Sequence, residues 1–171
     1  MAVRPILIIG HPTLAEKALP IETVDDDVRR LAEDMVETMH AKPGIGLAAP
    51  QVDFGRRLIV VDLSVGMDRE ALHILINPEI AESEGHCLGE EGCLSVPEIY
   101  EEVERPERVV VTALDLEGRP VRIEARDLLA RAFCHEIDHL DGKLFVDLLS
   151  PLKRSLIKRK FRKAAAKESR P

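Results

Sequence analysis

The chain has 171 residues, which is room for one domain of ordinary size with a single core. Hydrophobic residues make up 45% and charged residues 32%, a composition that excludes collagen, long disorder and a disulfide scaffold. The formal net charge of −7 is unevenly distributed: positions 153–171 carry nine Lys or Arg and one Glu, whereas the first 152 residues carry 15 Lys or Arg and 30 Asp or Glu. The basic end of the chain is therefore the segment suited to an anionic partner.

The sequence carries no recognisable export or membrane signal. No apolar stretch approaches the roughly 18 residues of a membrane span, and the apolar run at 6–9 is too short for a signal-peptide core. We therefore expect a cytoplasmic protein with no membrane partner. The odd number of cysteines (Cys87, Cys93 and Cys134) then indicates thiols or metal ligands rather than a disulfide framework.

The first half of the chain predicts one helix and two strands. Apolar residues recur at three- and four-residue spacing between Asp25 and His40, which is typical of an amphipathic helix, and Pro43-Gly44 follows as a stop signal. A loop of small residues occupies 44–51. Buried strands are predicted at Arg57–Leu63 and at His73–Ile76, the second of which is closed by Asn77-Pro78.

The second half predicts a hairpin and two helices. Strands at Val103–Leu116 and Pro120–Ala125 flank the turn-forming Glu117-Gly118-Arg119. A largely buried helix begins near Arg126 or Asp127 and reaches Gly142, where glycine is suited to end it. A basic helix runs from Pro151 to about Lys167, with an apolar side formed by Leu152, Leu156, Ile157, Phe161 and Ala164. This order of elements predicts an α+β fold.

The string His135-Glu136-Ile137-Asp138-His139 is typical of a metal site on a helix. Residues four apart share one helix face, so both imidazoles can reach one ion while Glu136 stands beside the water that the ion binds. The alternative is a pair of helix histidines with ordinary hydrogen-bond partners.

A third protein ligand must come from upstream, because the chain lacks both familiar downstream ligands. Phe145 stands where a three-histidine pattern places its last His, and Glu168 is the only Glu after Glu136. The best candidate is Cys93, in the turn-like Glu91-Gly-Cys-Leu-Ser95, because a thiolate is a strong ligand for soft or borderline metals. Taken alone, Cys93 would be interpreted as a small buried hydrophobe, and we expect that role for Cys87 and Cys134.

Three strings together resemble one family. In this order and at these separations, Gly44-Ile-Gly-Leu-Ala-Ala-Pro-Gln51, Glu91-Gly-Cys-Leu-Ser95 and His135-Glu-Ile-Asp-His139 look like the three signature motifs of bacterial peptide deformylase. The resemblance extends from about Ile6 to the basic helix. It implies antiparallel sheets packed around a central metal-binding helix, with a catalytic metallohydrolase domain at 1–150 and a basic helix and tail at 151–171.

By this resemblance the protein removes the N-terminal formyl group from formyl-methionyl nascent chains and releases formate. The implied metal ligands are Cys93, His135 and His139, and hydroxide held at the metal attacks the formyl carbon. Glu136 is implied as general base and then general acid. The Gln51 side chain and the backbone N–H of Leu94 are implied as donors to the developing oxyanion. Without the motif, Gln51 is equally a polar residue that caps a loop.

The resemblance also assigns substrate-binding positions. We expect Gly44 and Gly46 to take unusual φ values and to let an extended peptide approach the backbone closely. Gly92 is a further expected substrate contact, and the expected walls of an apolar pocket for methionine are Ile45, Leu128 and Ala132. For Leu128 and Ala132, a role in the core fits the sequence nearly as well. Tyr100 departs from those family members that have arginine near this position, which leaves contacts with longer peptides open.

Two features surround the implied metal. The donor set of two histidines and one thiolate would favour zinc, whereas the resemblance implies Fe²⁺ with Ni²⁺, Co²⁺ or Zn²⁺ able to replace it. We further expect an ion pair between Arg105 and Asp138, because an unpaired carboxylate within the ligand helix would be costly.

The resemblance gives the basic helix a role in docking on the ribosome near the nascent-chain exit, with no sequence-specific nucleic-acid recognition. The alternative is a solvated amphipathic helix packed on the body. Two rival functions remain for the chain: a metallo-aminopeptidase or endopeptidase, and a structural metal module without catalysis. Glu136 argues against the last of these, because a structural site needs no base beside its metal.

Overall fold

A computed structural model describes residues 2–168 and shows the expected α+β fold. Three α-helices lie within this range: α1 (Asp26–Ala41), α2 (Asp127–Leu140) and α3 (Pro151–Glu168). The strands within it are β1 (Gly46–Ala48), β2 (Leu58–Asp62), β3 (Leu72–Glu84), β4 (Cys87–Cys93), β5 (Val96–Arg105), β6 (Arg108–Leu114) and β7 (Pro120–Arg126).

The strands form two antiparallel sheets. A five-stranded sheet has the order β1-β2-β3-β6-β7, and β4 pairs with β5 as a separate hairpin. Helix α2 packs on the large sheet, where Phe133 and Ile137 join Ile59 and Val111 in the main core. A smaller cluster, which includes Val103 and Phe145, lies beside the hairpin. Helix α2 therefore contacts both sheets.

Helices α1 and α2 form where the sequence predicts them. Asp25 caps α1 by accepting a hydrogen bond from the Val28 N–H at 3.0 Å, and Met35 and Met39 of its apolar stripe are fully buried. Helix α2 ends just before Gly142, which has a φ of +74°. A Cβ at Gly142 would lie 2.6 Å from the Ala15 carbonyl oxygen, so glycine is required there by both conformation and space.

Two strand boundaries were wrongly predicted. Strand β3 does not end at Asn77-Pro78 but continues to Glu84, with a bulge at this point. Asn77 takes a φ of +51°, and its side-chain amide bonds both the N–H and the C=O of Ile21, each at 2.8 Å. The Asn-Pro stop signal therefore forms a β-bulge and does not end the strand.

The expected strand Val103–Leu116 corresponds to parts of two strands, the end of β5 and the whole of β6. Its first residues close β5 against β4, and Pro106 separates them from β6. Because β4 is rich in glutamate and glycine, its pattern did not indicate a strand. The β6–β7 hairpin is confirmed, with Gly118 at a φ of +77° in its turn.

A buried carboxylate at the end of β2 contributes stability that depends on pH. Asp62 is 1% exposed and lies 2.8 Å from His40 Nε2; it also accepts the N–H groups of Ser64 and Gly66, each at 2.9 Å. Burial opposes ionisation, but hydrogen bonds from Ser64, His40 and Gly66 outweigh it and lower the pKa of Asp62 to about 2.

We expect Asp62→Asn to lower the free energy of unfolding at pH 7 by about 2 kcal/mol. Because the folded-state pKa is depressed, this contribution is complete above the unfolded pKa of about 4 and is lost as pH falls towards 2. Urea unfolding between pH 7 and pH 2 measures it, with the exposed Asp68→Asn as control. Equal pH dependence of Asp62→Asn and the wild type would contradict the assignment.

Helix α3 lies on the body by one side only. Ile157 is 8% exposed and packs with Phe161 in the cluster beside the hairpin, whereas Leu152 and Leu156 are 69% and 55% exposed. Lys153 pairs with Glu101 at 3.0 Å and Lys158 with Asp147 at 3.1 Å. The expected apolar side of α3 is therefore divided between residues that pack on the body and residues that face solvent.

Positions 169–171 of the expected tail lie outside the described residues. None of the helices described here combines the length and hydropathy needed to cross a membrane.

Candidate metal centre and active site

Three candidate ligands meet where the hairpin approaches α2. Cys93 ends β4, and His135 and His139 lie one turn apart on α2. Their potential ligand atoms all lie within 4.8 Å of one another, and Cys93 Sγ is 3.4 Å from His139 Nε2. Burial holds the pKa of His139 well below its ordinary value, which keeps the ring in the neutral form that ligates metals.

A buried carboxylate orients His135. Glu91 Oε1 lies 2.8 Å from His135 Nδ1, which leaves Nε2 of the same ring for a ligand. Arg105 binds both Glu91 oxygens, at 2.8 and 2.9 Å, and reaches Asp138 at 2.6 Å, so the expected Arg105–Asp138 ion pair is present. Although burial opposes it, hydrogen bonds from Arg105 and His135 lower the pKa of Glu91 to about 2.

Glu136 is a second buried carboxyl group with a different environment. It is 5% exposed, and its Oε2 atom has no hydrogen-bond partner among residues 2–168. Burial raises its pKa to about 7, against a smaller opposing effect of His135. A carboxyl group with this pKa can accept and return a proton near neutral pH.

The two glycines of the first motif differ from the expectation in their backbone angles. Neither Gly44 nor Gly46 has a positive φ, so the expectation of unusual backbone angles is wrong. A Cβ at Gly46 would lie 2.5 Å from Glu136 Oε1, and one at Gly44 would lie 3.0 Å from the Leu94 side chain. Both glycines therefore make room for neighbouring side chains.

Because of this close approach, we expect Gly46→Ala to displace the Glu136 carboxyl group and to lower kcat about 100-fold for the hydrolysis that the sequence resemblance implies. Steady-state kinetics measures the effect, with a formyl-Met peptide, the substrate that the sequence resemblance implies. Gly55→Ala is a matched control, because a Cβ there meets nothing within 4 Å. Full activity of Gly46→Ala would show that the carboxyl group does not need its present position.

Gln51 is held by the hairpin turn and its own loop. Its Nε2 donates to Ser95 Oγ at 3.0 Å and lies 3.6 Å from Cys93 Sγ, while its Oε1 accepts the Ala48 N–H at 2.9 Å. At 1% exposed, Gln51 lies at the inner end of the site. The Leu94 N–H forms no hydrogen bond within the described part of the chain. Both donors adjoin Cys93.

An open cavity of about 470 Å³ contains these groups. Its walls include every expected substrate-binding position: Gly44, Ile45, Gly46, Gly92, Leu128 and Ala132. Leu128 is 52% exposed, at the cavity rim. The Tyr100 ring lies so close to Gly92 that a Cβ there would be 2.6 Å from it. Gln51, Cys93, Leu94, His135 and Glu136 also line this cavity, with His139 buried behind them.

The donor set fits a divalent metal ion. One thiol and two imidazoles converge, and the neighbouring Glu136 carboxyl oxygen is buried without a protein partner within residues 2–168. Three protein ligands leave one position open, as catalytic metal sites require. All three cysteines are free, and burial raises the pKa of Cys134 to about 11, in keeping with an inert core thiol.

Three residues that contact this site received no role from the sequence: Glu91, Ser95 and Arg131. The first two stand within the second motif, which was the available signal for them. Arg131 lies outside every motif and carried no signal beyond being a charged residue on a helix predicted to be buried.

Together, the α+β fold and a Cys/His/His cluster beside a buried carboxyl group define a metal-dependent hydrolase. The family model for polypeptide deformylase matches residues 3–155. A peptide deformylase from Alkalilimnicola ehrlichii is 56% identical over 163 residues, which are 95% of this chain and 91% of that protein. The chain therefore belongs to the peptide deformylase family and is a hydrolase that removes formyl groups.

Solved structures agree. The peptide deformylase from Legionella pneumophila has a TM-score of 0.90 at 45% identity, with 99% of each chain covered. The enzyme from Ehrlichia chaffeensis in complex with actinonin has a TM-score of 0.88 at 37% identity, with 96% of this chain and 98% of that chain covered.

Proposed function

We propose that the protein hydrolyses the N-terminal formyl group of formyl-methionyl nascent polypeptides and releases formate. The observation that carries this is the convergence of Cys93, His135 and His139 beside Glu136 in one open cavity. The family supplies the reaction class, and the apolar wall residues Ile45, Leu128 and Ala132 suit a methionine side chain.

The protein's own groups have separable roles in this reaction. Cys93, His135 and His139 would hold a divalent metal, and the chemistry supplied there would be Lewis acidity, which lowers the pKa of water and polarises a carbonyl. Glu136 takes the proton of the attacking water and delivers it to the leaving amine nitrogen. Gln51 Nε2 and the Leu94 N–H donate hydrogen bonds to the oxygen that becomes negative. The amine then leaves as the new N-terminus.

The peptide itself is held by its backbone. Strand β1 is an edge strand of the large sheet, and its first residue lines the cavity. Its second side is open to pairing except at the Ala48 N–H, which donates to Gln51 Oε1. An extended peptide that adds to this edge is recognised through main-chain hydrogen bonds and few side chains. This mode suits an enzyme that must accept many different sequences after methionine.

The test of the proposal is formate release from formyl-Met-Ala-Ser, with acetyl-Met-Ala-Ser and Met-Ala-Ser as controls. We expect formate from the first peptide only and no cleavage of peptide bonds in any of them. Cleavage of unformylated Met-Ala-Ser would favour the metallopeptidase alternative, and metal binding without either reaction would favour a structural module.

We infer that the working ion is Fe²⁺. The family resemblance supports iron, whereas two imidazoles and a thiolate taken alone would favour zinc, and Ni²⁺ or Co²⁺ can also be accepted by such a site. Iron is tested by metal analysis and activity after anaerobic and aerobic preparation, because Fe²⁺ and its thiolate ligand both oxidise. Zinc as the only metal, with full activity in air, would reject iron.

We also infer that 1–150 forms the catalytic domain and that 151–171 docks on the ribosome near the nascent-chain exit, which places the protein in the cytoplasm. In support, Arg159, Lys160 and Lys163 of α3 are exposed, and the exposed Leu152 and Leu156 flank this basic surface. Ribosomal RNA would be recognised there through its phosphates and not by sequence.

Charge reversal tests this docking without removing the packed Phe161. We expect the triple variant Arg159→Glu/Lys160→Glu/Lys163→Glu to lose co-sedimentation with ribosomes while its activity on formyl-Met-Ala-Ser is unchanged. Reversal of the exposed Arg69 and Arg122, which lie on the body, is the matched control. Undiminished co-sedimentation of the triple variant would leave α3 as a helix packed on the body only.

A further inference from the structure

Arg131 is a buried arginine that the proposed reaction does not use. It lies on α2, one turn before His135 and on the same helix face, and is 8% exposed. A buried guanidinium is retained only where acceptors surround it. Those acceptors indicate its role.

The Arg131 guanidinium bonds the β4–β5 hairpin from across the site. Nη1 donates to the Val103 carbonyl and to Glu91 Oε2, each at 2.8 Å, and lies 3.3 Å from the Gly89 carbonyl. Nη2 donates to the Cys87 carbonyl at 2.8 Å. Three backbone positions on two strands are therefore tied to one side chain of α2.

The hairpin is shaped to receive this side chain. A Cβ at Gly89 would lie 3.0 Å from Arg131 Cζ and Nη2, so the space of a side chain at position 89 is occupied by the guanidinium. The charges also balance, because Arg105 and Arg131 face Glu91 and Asp138 in one connected group. The contact is thus complementary in both volume and charge.

This contact bridges the two parts that supply the metal ligands. Cys93 belongs to the hairpin, which is not hydrogen-bonded to the large sheet, whereas His135 and His139 belong to α2. The distance between the thiol and the imidazoles therefore depends on how firmly the hairpin is held against α2. The Arg105–Asp138 and Glu91–His135 contacts join the two parts through side chains, and Arg131 adds hydrogen bonds to the hairpin carbonyls themselves.

We propose that Arg131 is a positioning residue that keeps the Cys93 thiolate within ligating distance of His135 and His139. The proposal rests on the metal site proposed above. Arg131 is not one of the three candidate ligands and acts through the backbone of β4 and β5.

The test uses the full chain loaded with Co²⁺, whose thiolate-to-metal charge-transfer absorption reports the Cys93–metal bond. In Arg131→Met we expect this absorption to fall at least twofold and the release of Co²⁺ to a chelator to accelerate about tenfold, the scale of losing an outer partner of a metal site. Arg131→Lys, which keeps the charge but not the fork of donors, should show a smaller change in the same direction.

Arg57→Met is the matched control. Arg57 is also largely buried and bonds α2 by donating to the Leu140 carbonyl at 3.0 Å, but it does not touch the hairpin. Its loss should lower the unfolding temperature and leave the charge-transfer absorption unchanged. Gly89→Ala, whose Cβ would press on the guanidinium, provides a second route to the expected effect should Arg131→Met not fold.

Unchanged absorption and unchanged Co²⁺ release in Arg131→Met or Gly89→Ala would overturn the proposal, as would an equal change in Arg57→Met. Absence of the charge-transfer absorption in the wild type would overturn the metal site itself, together with this inference. Normal Co²⁺ ligation in the wild type with unaffected variants would reject only the role of Arg131.

Discussion

Replacement of Glu136 by alanine is expected to lower kcat for formyl-Met-Ala-Ser by about 1,000-fold, within the range that general acid–base catalysis contributes. Glu136 has a carboxyl oxygen without a hydrogen-bond partner in the part of the chain that the structure describes, and burial raises its pKa to about 7. These properties suit a group that takes a proton from water and returns it to an amine. Formate release measures the effect, because formate forms in proportion to turnover.

The control for Glu136→Ala is Glu90→Ala, which removes an exposed carboxyl group from the same cavity. We expect its kcat to stay within about threefold of the wild type, because Glu90 touches none of the candidate ligands. Metal content should be unchanged in both variants. Retention of more than a tenth of wild-type kcat by Glu136→Ala would remove Glu136 from the proposed mechanism.

Replacement of Cys93 by alanine is expected to abolish tight metal binding and formate release together. Loss of an outer partner of a metal site already costs about 10–100-fold in affinity, and loss of one of three direct ligands should cost more. The effect is large because His135 and His139 alone leave two positions to be filled by water. Metal content after dialysis against a chelator is the direct measurement.

Cys134→Ala provides the comparison for Cys93→Ala. Cys134 adjoins His135 in sequence, but it is 4% exposed and packs in the main core, away from the cluster of ligands. We expect Cys134→Ala to retain one metal ion per chain and to lose only some stability. Equal metal content in the two variants would exclude Cys93 as a ligand.

Much of the site could be predicted from sequence because its groups lie in short, rigid strings. The 3.6-residue period fixes His135, Glu136 and His139 relative to one another as soon as α2 is recognised. The approach of Cys93 to them depends on a long-range contact, which no local pattern specifies. It was inferred from the missing downstream ligand and from the family resemblance.

The strands were less predictable than the helices. The apolar stripe of α1 specifies one buried face, whereas β4 has two adjacent glutamates between two glycines and carries little hydrophobic signal. Asn77-Pro78 is a turn signal and predicts the end of a strand. The strand continues because the bulge there is stabilised by Ile21, which is 56 residues away. Tertiary contacts of this kind override local turn preferences.

The glycines illustrate the same limit. The sequence shows only that Gly46 can adopt a wide range of φ angles. Glycine is needed at this position because the Glu136 carboxyl group occupies the space that a side chain would take. The partnership of Gly89 with Arg131 is likewise set by volume across the fold. Such reasons become visible only when the distant neighbour is in place.

Strand β1 has only three residues, which span about 10 Å, and this shortness limits when the enzyme can act. An edge of this length accommodates about three residues of an extended client chain. A client must therefore present its first residues unpaired, before they enter a helix or a sheet of their own. On the proposed substrate, the short edge therefore requires that processing be completed while the start of each new protein is still unfolded.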